Sequence, residues 1–308
     1  MKVVLLVNSK ASSVTPRSRV VIGKALSADH DVAVAENSRR GHATRLAQGA
    51  AASGVDVVVV LGGDGTLNEA ANGLVGTETA LAPLPGGSTN VFARAIGIHD
   101  DPIEATGQLL ASLARGSTRR VGVGAVGWRR FLFHAGIGFD AAVVERVERR
   151  HEVKRYAAHP FFAAMAVTTW LRDYDRRRPP FDLVLDDGER IEGCWFAVVS
   201  KISPYTYLGH RPIVVTPGVG FDTPLSVFAM RSLDARVLVP TLVSALRSPT
   251  GPKPHRDLTV RTGVHRCTVL AKRGIDAAVP YQVDGDHLGG AERLDLLYEP
   301  DALRLVLP

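Results

Sequence analysis

The sequence predicts two domains of different class, an N-terminal parallel α/β domain and then a mostly antiparallel β domain of sandwich type (α/β + β). Three observations lead there. About the first 120 residues alternate strand-like and helix-like runs. After Thr118 the pattern changes to short strand-like runs separated by turn residues. The chain has 308 residues, 45% of them apolar, enough for one large core or two ordinary ones, and two is the better expectation.

The elements follow in order. Residues 2–8 read as a first strand; their five apolar residues are too few for a signal-peptide core. Further strands are expected at 31–35, 55–61 and 79–82, with helices at 17–28, 42–53, 66–75, 89–96 and 102–114. Beyond them, strands are expected around 119–126, 129–135, 181–186, 191–200, 212–215, 225–231, 257–262, 265–272, 276–283 and 292–298. Helical patterns interrupt at 139–174 and 234–247. Asp186-Asp187-Gly188 and Asp284-Gly285 are hairpin-type turns. The first domain is expected over 1–120 and the second over 121–298.

Charge and composition narrow the function. The net charge of +6 suits nucleotide phosphates, an anionic membrane surface or nucleic acid. Most of the excess lies between Glu145 and Arg178, where nine Lys/Arg face five Asp/Glu. That stretch also carries Tyr156, Phe161, Phe162, Met165, Trp170 and Tyr174. Basic ends around an apolar, aromatic helix suit a peripheral membrane contact. A core helix with solvated ends fits as well. No nucleic-acid motif is present, so nucleic acid is not an expected partner. The longest apolar stretch, 161–171, is too short to span a bilayer. A soluble, cytoplasmic protein visiting the inner face of the membrane is expected, and a homodimer is left open. Cys194 and Cys267 have no metal spacing and read as buried free thiols in a reducing compartment. The ten histidines show no zinc spacing.

Two glycine-rich turns carry the chemistry. Gly62-Gly63-Asp64-Gly65-Thr66-Leu67-Asn68-Glu69 stands directly behind the strand-like run 55–61 and opens a helical pattern. Such a turn presents backbone N–H groups and the positive end of a helix dipole, which suits phosphate. Asp64 beside phosphate is repulsive unless a cation lies between, so it points to Mg²⁺. An ordinary turn with Asp as a cap is the plainer alternative. The second turn, Pro85-Gly86-Gly87-Ser88-Thr89-Asn90, leads into another helical pattern. Ser88 can cap that helix and reach a phosphate oxygen. Two adjacent turns of this kind form one crevice at the carboxyl edge of a parallel sheet. Neither is a Walker A loop. The G-x-G-x-x-G of Gly122 to Gly127 is followed by Trp128 and a strand-like run, so it reads as a chance match on a β ribbon.

The pair GGDGTLNEA and PGGSTNVFAR resembles the catalytic domain of the diacylglycerol kinase and sphingosine kinase family, in its bacterial lipid kinase branch. Val7-Asn8-Ser9, Gly41-His42-Ala43, Gly136-Ile137-Gly138-Phe139-Asp140, the segment 217–225 and Val283-Asp284-Gly285-Asp286 match in order, across nearly the whole chain. The resemblance implies a first domain of NAD kinase-like fold to which residues 299–308 return. It implies ATP and Mg²⁺ as cofactors and a lipid as substrate, diacylglycerol or similar. Asp284 becomes the base that takes the proton of the attacking hydroxyl. The family usually shows Asp-Gly-Glu there; Asp286 keeps the charge of the second acid with one methylene less reach. Asp64 would hold the catalytic Mg²⁺ while Gly62, Gly63, Gly65, Thr66, Asn68 and Glu69 wrap the phosphates. Gly86, Gly87, Ser88 and Asn90 would touch nucleotide from the second turn. Asn37 stands where the family more often has a nucleotide-contacting Thr, and Asn8 would support the nucleotide end of the sheet. The segment 219–225 resembles a structural Mg²⁺ loop, with Asp222 and the carbonyls of Val219 and Pro224 as ligands. The usual Asp-Gly is Asp222-Thr223 here.

The leading expectation is a lipid kinase that converts diacylglycerol to phosphatidic acid. A sphingoid-type lipid kinase, an NAD kinase and a nucleotide-binding regulator without turnover are the alternatives. The close spacing of the two glycine turns favours lipid over NAD. Retention of Asp64 and Asp284 argues against the regulator.

Overall fold

The computed structural model describes residues 1–149, 165–174, 178–272 and 278–308. They form two compact units, Met1–Val123 with Pro300–Pro308, and Gly124–Glu299.

The first unit runs β1 (Lys2–Val7), α1 (Pro16–Ser27), β2 (Asp31–Glu36), α2 (His42–Ala52), β3 (Val57–Gly62), α3 (Asp64–Leu74), β4 (Ala80–Pro85), α4 (Val91–Ala95) and α5 (Pro102–Ala114). Its sheet has the order β2-β1-β3-β4, all parallel. The C-terminal strand Arg293–Val306 extends it, pairing in parallel with β4 at Leu305 and Leu81. Every residue of β3 and β4 is buried. Central strands covered on both faces need such continuous apolar runs. Leu5, Val59 and Ala82 pack on one face with Ile22 and Leu26 of α1 and Leu109 of α5. The helices start where local chemistry dictates. Thr15 and Ser18 make a reciprocal capping box for α1, and Asp101 caps α5 ahead of Pro102.

The second unit takes over within β5 (Thr118–Val126) and continues with β6 (Arg129–Phe131), β7 (His134–Gly138) and α6 (Phe139–Glu148). A π-helical turn at Thr169–Asp173 precedes β8 (Phe181–Leu185), β9 (Arg190–Cys194), β10 (Phe196–Ser200), β11 (Thr206–Leu208), β12 (Arg211–Ile213) and β13 (Leu225–Met230). Then come α7 (Ala235–Arg247), β14 (Leu258–Val264), β15 (Arg266–Ala271), β16 (Val279–Val283), β17 (Asp286–Ala291) and β18 (Arg293–Val306). A six-stranded antiparallel sheet, β14-β13-β10-β7-β16-β17, faces the antiparallel strands β18-β15-β8-β9. Ile137, Val199, Val227 and Val283 from one sheet share a core with Leu183, Cys267, Val269 and Leu296 from the other. The second unit is therefore a sandwich. Phe139 and Val143 of α6 and Ala245 of α7 cover the opposite face of the larger sheet at Val198 and Phe228.

Several strand and helix expectations are corrected. The run 129–135 breaks into β6 and β7, because the amides of Leu132, Phe133 and His134 turn toward Asp284. The run 191–200 breaks at Trp195, where the chain passes from one sheet to the other. Strands β11 and β17 were not foreseen: β11 has only three residues, and His287, Gly289 and Gly290 obscure the period of β17. The second-turn helix starts at Val91, two residues later than expected. Helix α6 ends at Glu148. Residues 150–164 and 175–177, which include Tyr156, Phe161, Phe162, Arg176 and Arg177 of the expected membrane contact, lie outside the described residues. The G-x-G-x-x-G does lie on a β ribbon, β5 and β6 around Gly127. Both cysteines are buried and free, and burial pushes the Cys194 thiol up to about 12. Among the described residues no helix is long and apolar enough to cross a membrane.

Candidate functional site

In the first unit, β3 and β4 end side by side, Gly62 opposite Pro85. Their turns interlock. The Gly86 N–H donates to the Gly62 carbonyl at 2.9 Å. A Cβ on Gly86 would lie 2.8 Å from the Gly62 Cα and N, and one on Gly87 2.8 Å from the Gly63 Cα. Backbone meets backbone, and only glycine permits it. Helix α3 begins immediately after Gly63, and no side-chain hydrogen bond caps it. Its first-turn N–H groups and dipole form the anion-attracting feature of this edge.

Asp64 does something the sequence reading did not foresee. Its carboxylate caps the neighbouring helix α4, accepting the N–H of Val91 at 3.0 Å and of Phe92 at 3.1 Å. Burial pushes Asp64 above the ordinary carboxyl range, while those amides and Arg94 pull against the shift. Ser88 is exposed and does not cap; Asn90, in the left-handed conformation, takes the N-cap position. Asn90 braces its own turn, accepting from the Gly87 N–H at 2.8 Å and donating to Asp100 at 3.0 Å. Glu69 caps α2, accepting from Gly41 at 2.8 Å and Ala43 at 3.1 Å. Asn68 is fully buried and accepts from Asn72 at 3.1 Å. Asn8 donates to the Thr66 hydroxyl at 2.9 Å. Asn37 is buried, and its side-chain oxygen accepts no hydrogen bond.

The expected nucleotide set thus divides. Asn8, Asn37, Gly62, Gly63, Gly65, Thr66, Gly86, Gly87 and Ser88 gather at the carboxyl ends of β1 to β4. Asn68, Glu69 and Asn90 hold helices and turns together. The two remote caps escaped the sequence because cap rules look one residue ahead of a helix, whereas these carboxylates come from a different helix.

In the second unit, Asp284 and Gly285 form the β16–β17 turn with φ of +48° and +83°. Positive φ at both central residues is the hairpin geometry that Asp-Gly supplies. The Asp284 side chain turns inward, and the residue is 4% exposed. It accepts three backbone N–H groups, from Leu132 at 2.7 Å, Phe133 at 3.1 Å and His134 at 3.0 Å. A polar chain runs beneath this turn. The Gly285 N–H donates to Gln282 at 2.8 Å, Gln282 donates to Asp140 at 2.7 Å, and the Tyr205 hydroxyl donates to the other Asp140 oxygen. Burial pushes Asp140 up, against the pull of Tyr205 and Gln282. Burial and the Asp140 charge push Tyr205 well above its ordinary value. A Cβ on Gly136 would lie 1.6 Å from Asp140 Oδ2, so this glycine makes room for the carboxylate. The His134 ring lies tilted at 41° against Tyr205 with centroids 4.6 Å apart, and burial lowers its pKa from 6.5 to about 3. Asp286 pairs with Arg129 at 2.8 Å, the side chains 22% and 9% exposed. Arg129, Tyr205 and Gln282 carried no sequence signal; Asp140 lay inside the noted Gly136-Ile137-Gly138-Phe139-Asp140 run.

The expected metal loop shows a different occupant. Lys201 Nζ donates to the carbonyls of Gly220 at 2.7 Å, Thr223 at 3.0 Å and Phe221 at 3.4 Å. Asp222 is exposed. The carbonyls that converge on this ammonium belong to Gly220, Phe221 and Thr223, which alternate along the loop with the expected ligands Val219, Asp222 and Pro224. Among the described residues no group of three or more His, Cys, Asp or Glu is placed so that it could hold a metal ion.

Comparison with known proteins places these features. The diacylglycerol kinase catalytic domain matches residues 2–126. A Pseudomonas aeruginosa protein named "probable lipid kinase YegS-like" is 35% identical over 319 aligned positions, covering 100% of this chain and 94% of that protein. The diacylglycerol kinase of Bacillus subtilis is 34% identical over 121 residues, 38% of this chain and 39% of its own length. A crystal structure described as a diacylglycerol kinase from Bacillus anthracis superposes with a TM-score of 0.73 at 21% identity, over 100% of this chain and 97% of that one. At that identity the likeness is one of fold.

Proposed function

Because the chain belongs to the lipid kinase family built on the diacylglycerol kinase catalytic domain, we propose that it moves the γ-phosphate of ATP to a lipid hydroxyl, that of diacylglycerol, giving phosphatidic acid. The interlocked glycine turns ahead of an uncapped α3 carry this reading. They offer bare backbone and N–H groups where a chain of phosphates needs them. The first unit is then the nucleotide unit and the second the lipid unit. Asn37 offers its unpartnered oxygen to a donor on the nucleotide.

Asp64 fits a water-mediated Mg²⁺. Each of its oxygens accepts one amide and keeps a further lone pair, and the residue retains some surface. Mg²⁺ is commonly held by one carboxylate, waters and the substrate's own phosphates. When bound, the ion neutralises charge on the transferring group. Asp284 takes the proton of the lipid hydroxyl as its oxygen bonds to the γ-phosphorus and ADP leaves with the bridging oxygen. Asp286, held by Arg129, orients the acceptor. Peripheral contact with an anionic membrane brings the lipid within reach.

The test offers γ-labelled ATP and Mg²⁺ with diacylglycerol in mixed micelles, a sphingoid base and NAD in parallel. Labelled phosphatidic acid that disappears in Asp284→Asn supports the reading. Label on the sphingoid base or on NAD alone replaces the acceptor, and label that persists in Asp284→Asn removes Asp284 as the base. Mg²⁺-dependent tightening of ATP binding, lost in Asp64→Ala, checks the ion without turnover.

A further inference from the structure

We propose that the loop 219–224 is a cation site whose resident cation is the chain's own Lys201 ammonium, and that the loop takes no divalent ion. The geometry is matched donor for acceptor. An ammonium has three N–H donors and no acceptor, and three carbonyls converge on it at 2.7, 3.0 and 3.4 Å. Lys201 is 1% exposed. An ammonium held that deep without acceptors would be strongly destabilising, and the loop supplies the acceptors. On another side the ring of Tyr298 lies 5.4 Å from Nζ, an aromatic face of the kind that attracts a cation.

Both partners are fixed before they meet. The Lys201 backbone follows β10 directly, and its N–H donates to the Phe133 carbonyl at 2.8 Å. The loop is tied on itself. The Gly220 N–H donates to the Thr223 hydroxyl at 3.0 Å, and the Thr223 N–H donates to the Gly220 carbonyl at 3.2 Å. Thr223 is thus the residue that closes the carbonyl cup, through its hydroxyl and its N–H. A divalent ion on Asp222 and the carbonyls of Val219 and Pro224 would sit in the same six-residue loop as this buried ammonium, would gain one carboxylate, that of exposed Asp222, and would be repelled by the ammonium charge. Phe133 links the loop to the functional turn, since its carbonyl accepts from Lys201 while its N–H donates to Asp284. Lys201 therefore joins the two, its ammonium holding the loop and its backbone N–H holding the segment that binds the Asp284 carboxylate.

This inference does not depend on the proposed activity. The test uses the full chain without nucleotide. Mn²⁺ binding is followed by electron paramagnetic resonance in wild type and Asp222→Asn, and melting temperature is compared in EDTA and in excess Mg²⁺. The expected result is the same Mn²⁺ binding in both proteins and no Mg²⁺-dependent shift that Asp222→Asn removes. Lys201→Ala is expected to melt several degrees lower in EDTA and to recover part of the loss with Mg²⁺. Mn²⁺ bound by wild type and lost in Asp222→Asn overturns the proposal, and so does a Lys201→Ala protein as stable as wild type. If Lys201→Ala does not fold, the wild-type and Asp222→Asn comparison decides alone.

Discussion

Asp64 and Asp284 are the same device in two different settings. Each stands in a Gly-flanked turn at the end of a strand, and each accepts consecutive backbone N–H groups from a remote segment. Around Asp64 the geometry depends on side chains being absent, because the Gly86 and Gly87 turn presses onto Gly62 and Gly63. Around Asp284 it depends on side chains being present, in the chain Gln282, Asp140, Tyr205 with His134 packed beside it. The proposed phosphate cradle needs open backbone, whereas a fixed carboxylate needs a packed and hydrogen-bonded floor.

That contrast can be broken at its strongest point first. Gly136→Ala drives a Cβ into the buried Asp140 carboxylate. A loss of roughly 3 kcal/mol or more is expected, the scale of disrupting a buried charged network; a chemical denaturation curve like that of wild type would show the network to be dispensable. His134 sharpens the same side through pH. Its folded value near 3 lies below the ordinary 6.5, so folding favours the neutral ring. Its contribution is therefore complete above pH 6.5 and falls as the pH drops toward 3, by about 1.4 kcal/mol per pH unit. His134→Phe should show a shallower loss of melting temperature across that window, and parallel curves would count against the burial argument.

On the glycine side, Gly86→Ala should cost about 1–3 kcal/mol through backbone overlap with Gly62. It should weaken ATP binding more than Gln282→Ala does, as read by calorimetry. The reverse order would erase the distinction between the two turns. The smallest effect is expected at Arg129 and Asp286. A double-mutant cycle should return a coupling of about 1 kcal/mol for this partly buried pair, and additive losses would show that Arg129 does not hold Asp286.

The fold class was readable because period and punctuation are local. The Val-rich β3 followed by two glycines, Pro102 behind Asp101, and Asp284-Gly285 each announce their element within a few residues. The turn residues of the candidate site were readable for the same reason. The partners were not. Asp64 points to a metal in the sequence, with a cap of its own helix as the plainer alternative, and the choice of α4 as the helix it caps is made across β3 and β4. Ser88 satisfies the local cap rule, yet the cap was already supplied from α3.

The sequence alone determined the strand order of chemistry along the chain: two glycine turns early, an Asp-Gly hairpin late, and hydrophobic runs sized for a parallel sheet and a sandwich. Only the tertiary structure decided which polar groups meet. It sent Glu69 to α2, put Asp140 under Gly136, and turned Lys201 into the cation of a loop whose sequence resembles a metal site. The physical reason is that propensity, capping and turn conformation act over a handful of residues. Hydrogen bonds between buried groups are fixed by packing between elements far apart in sequence, where no local pattern records them.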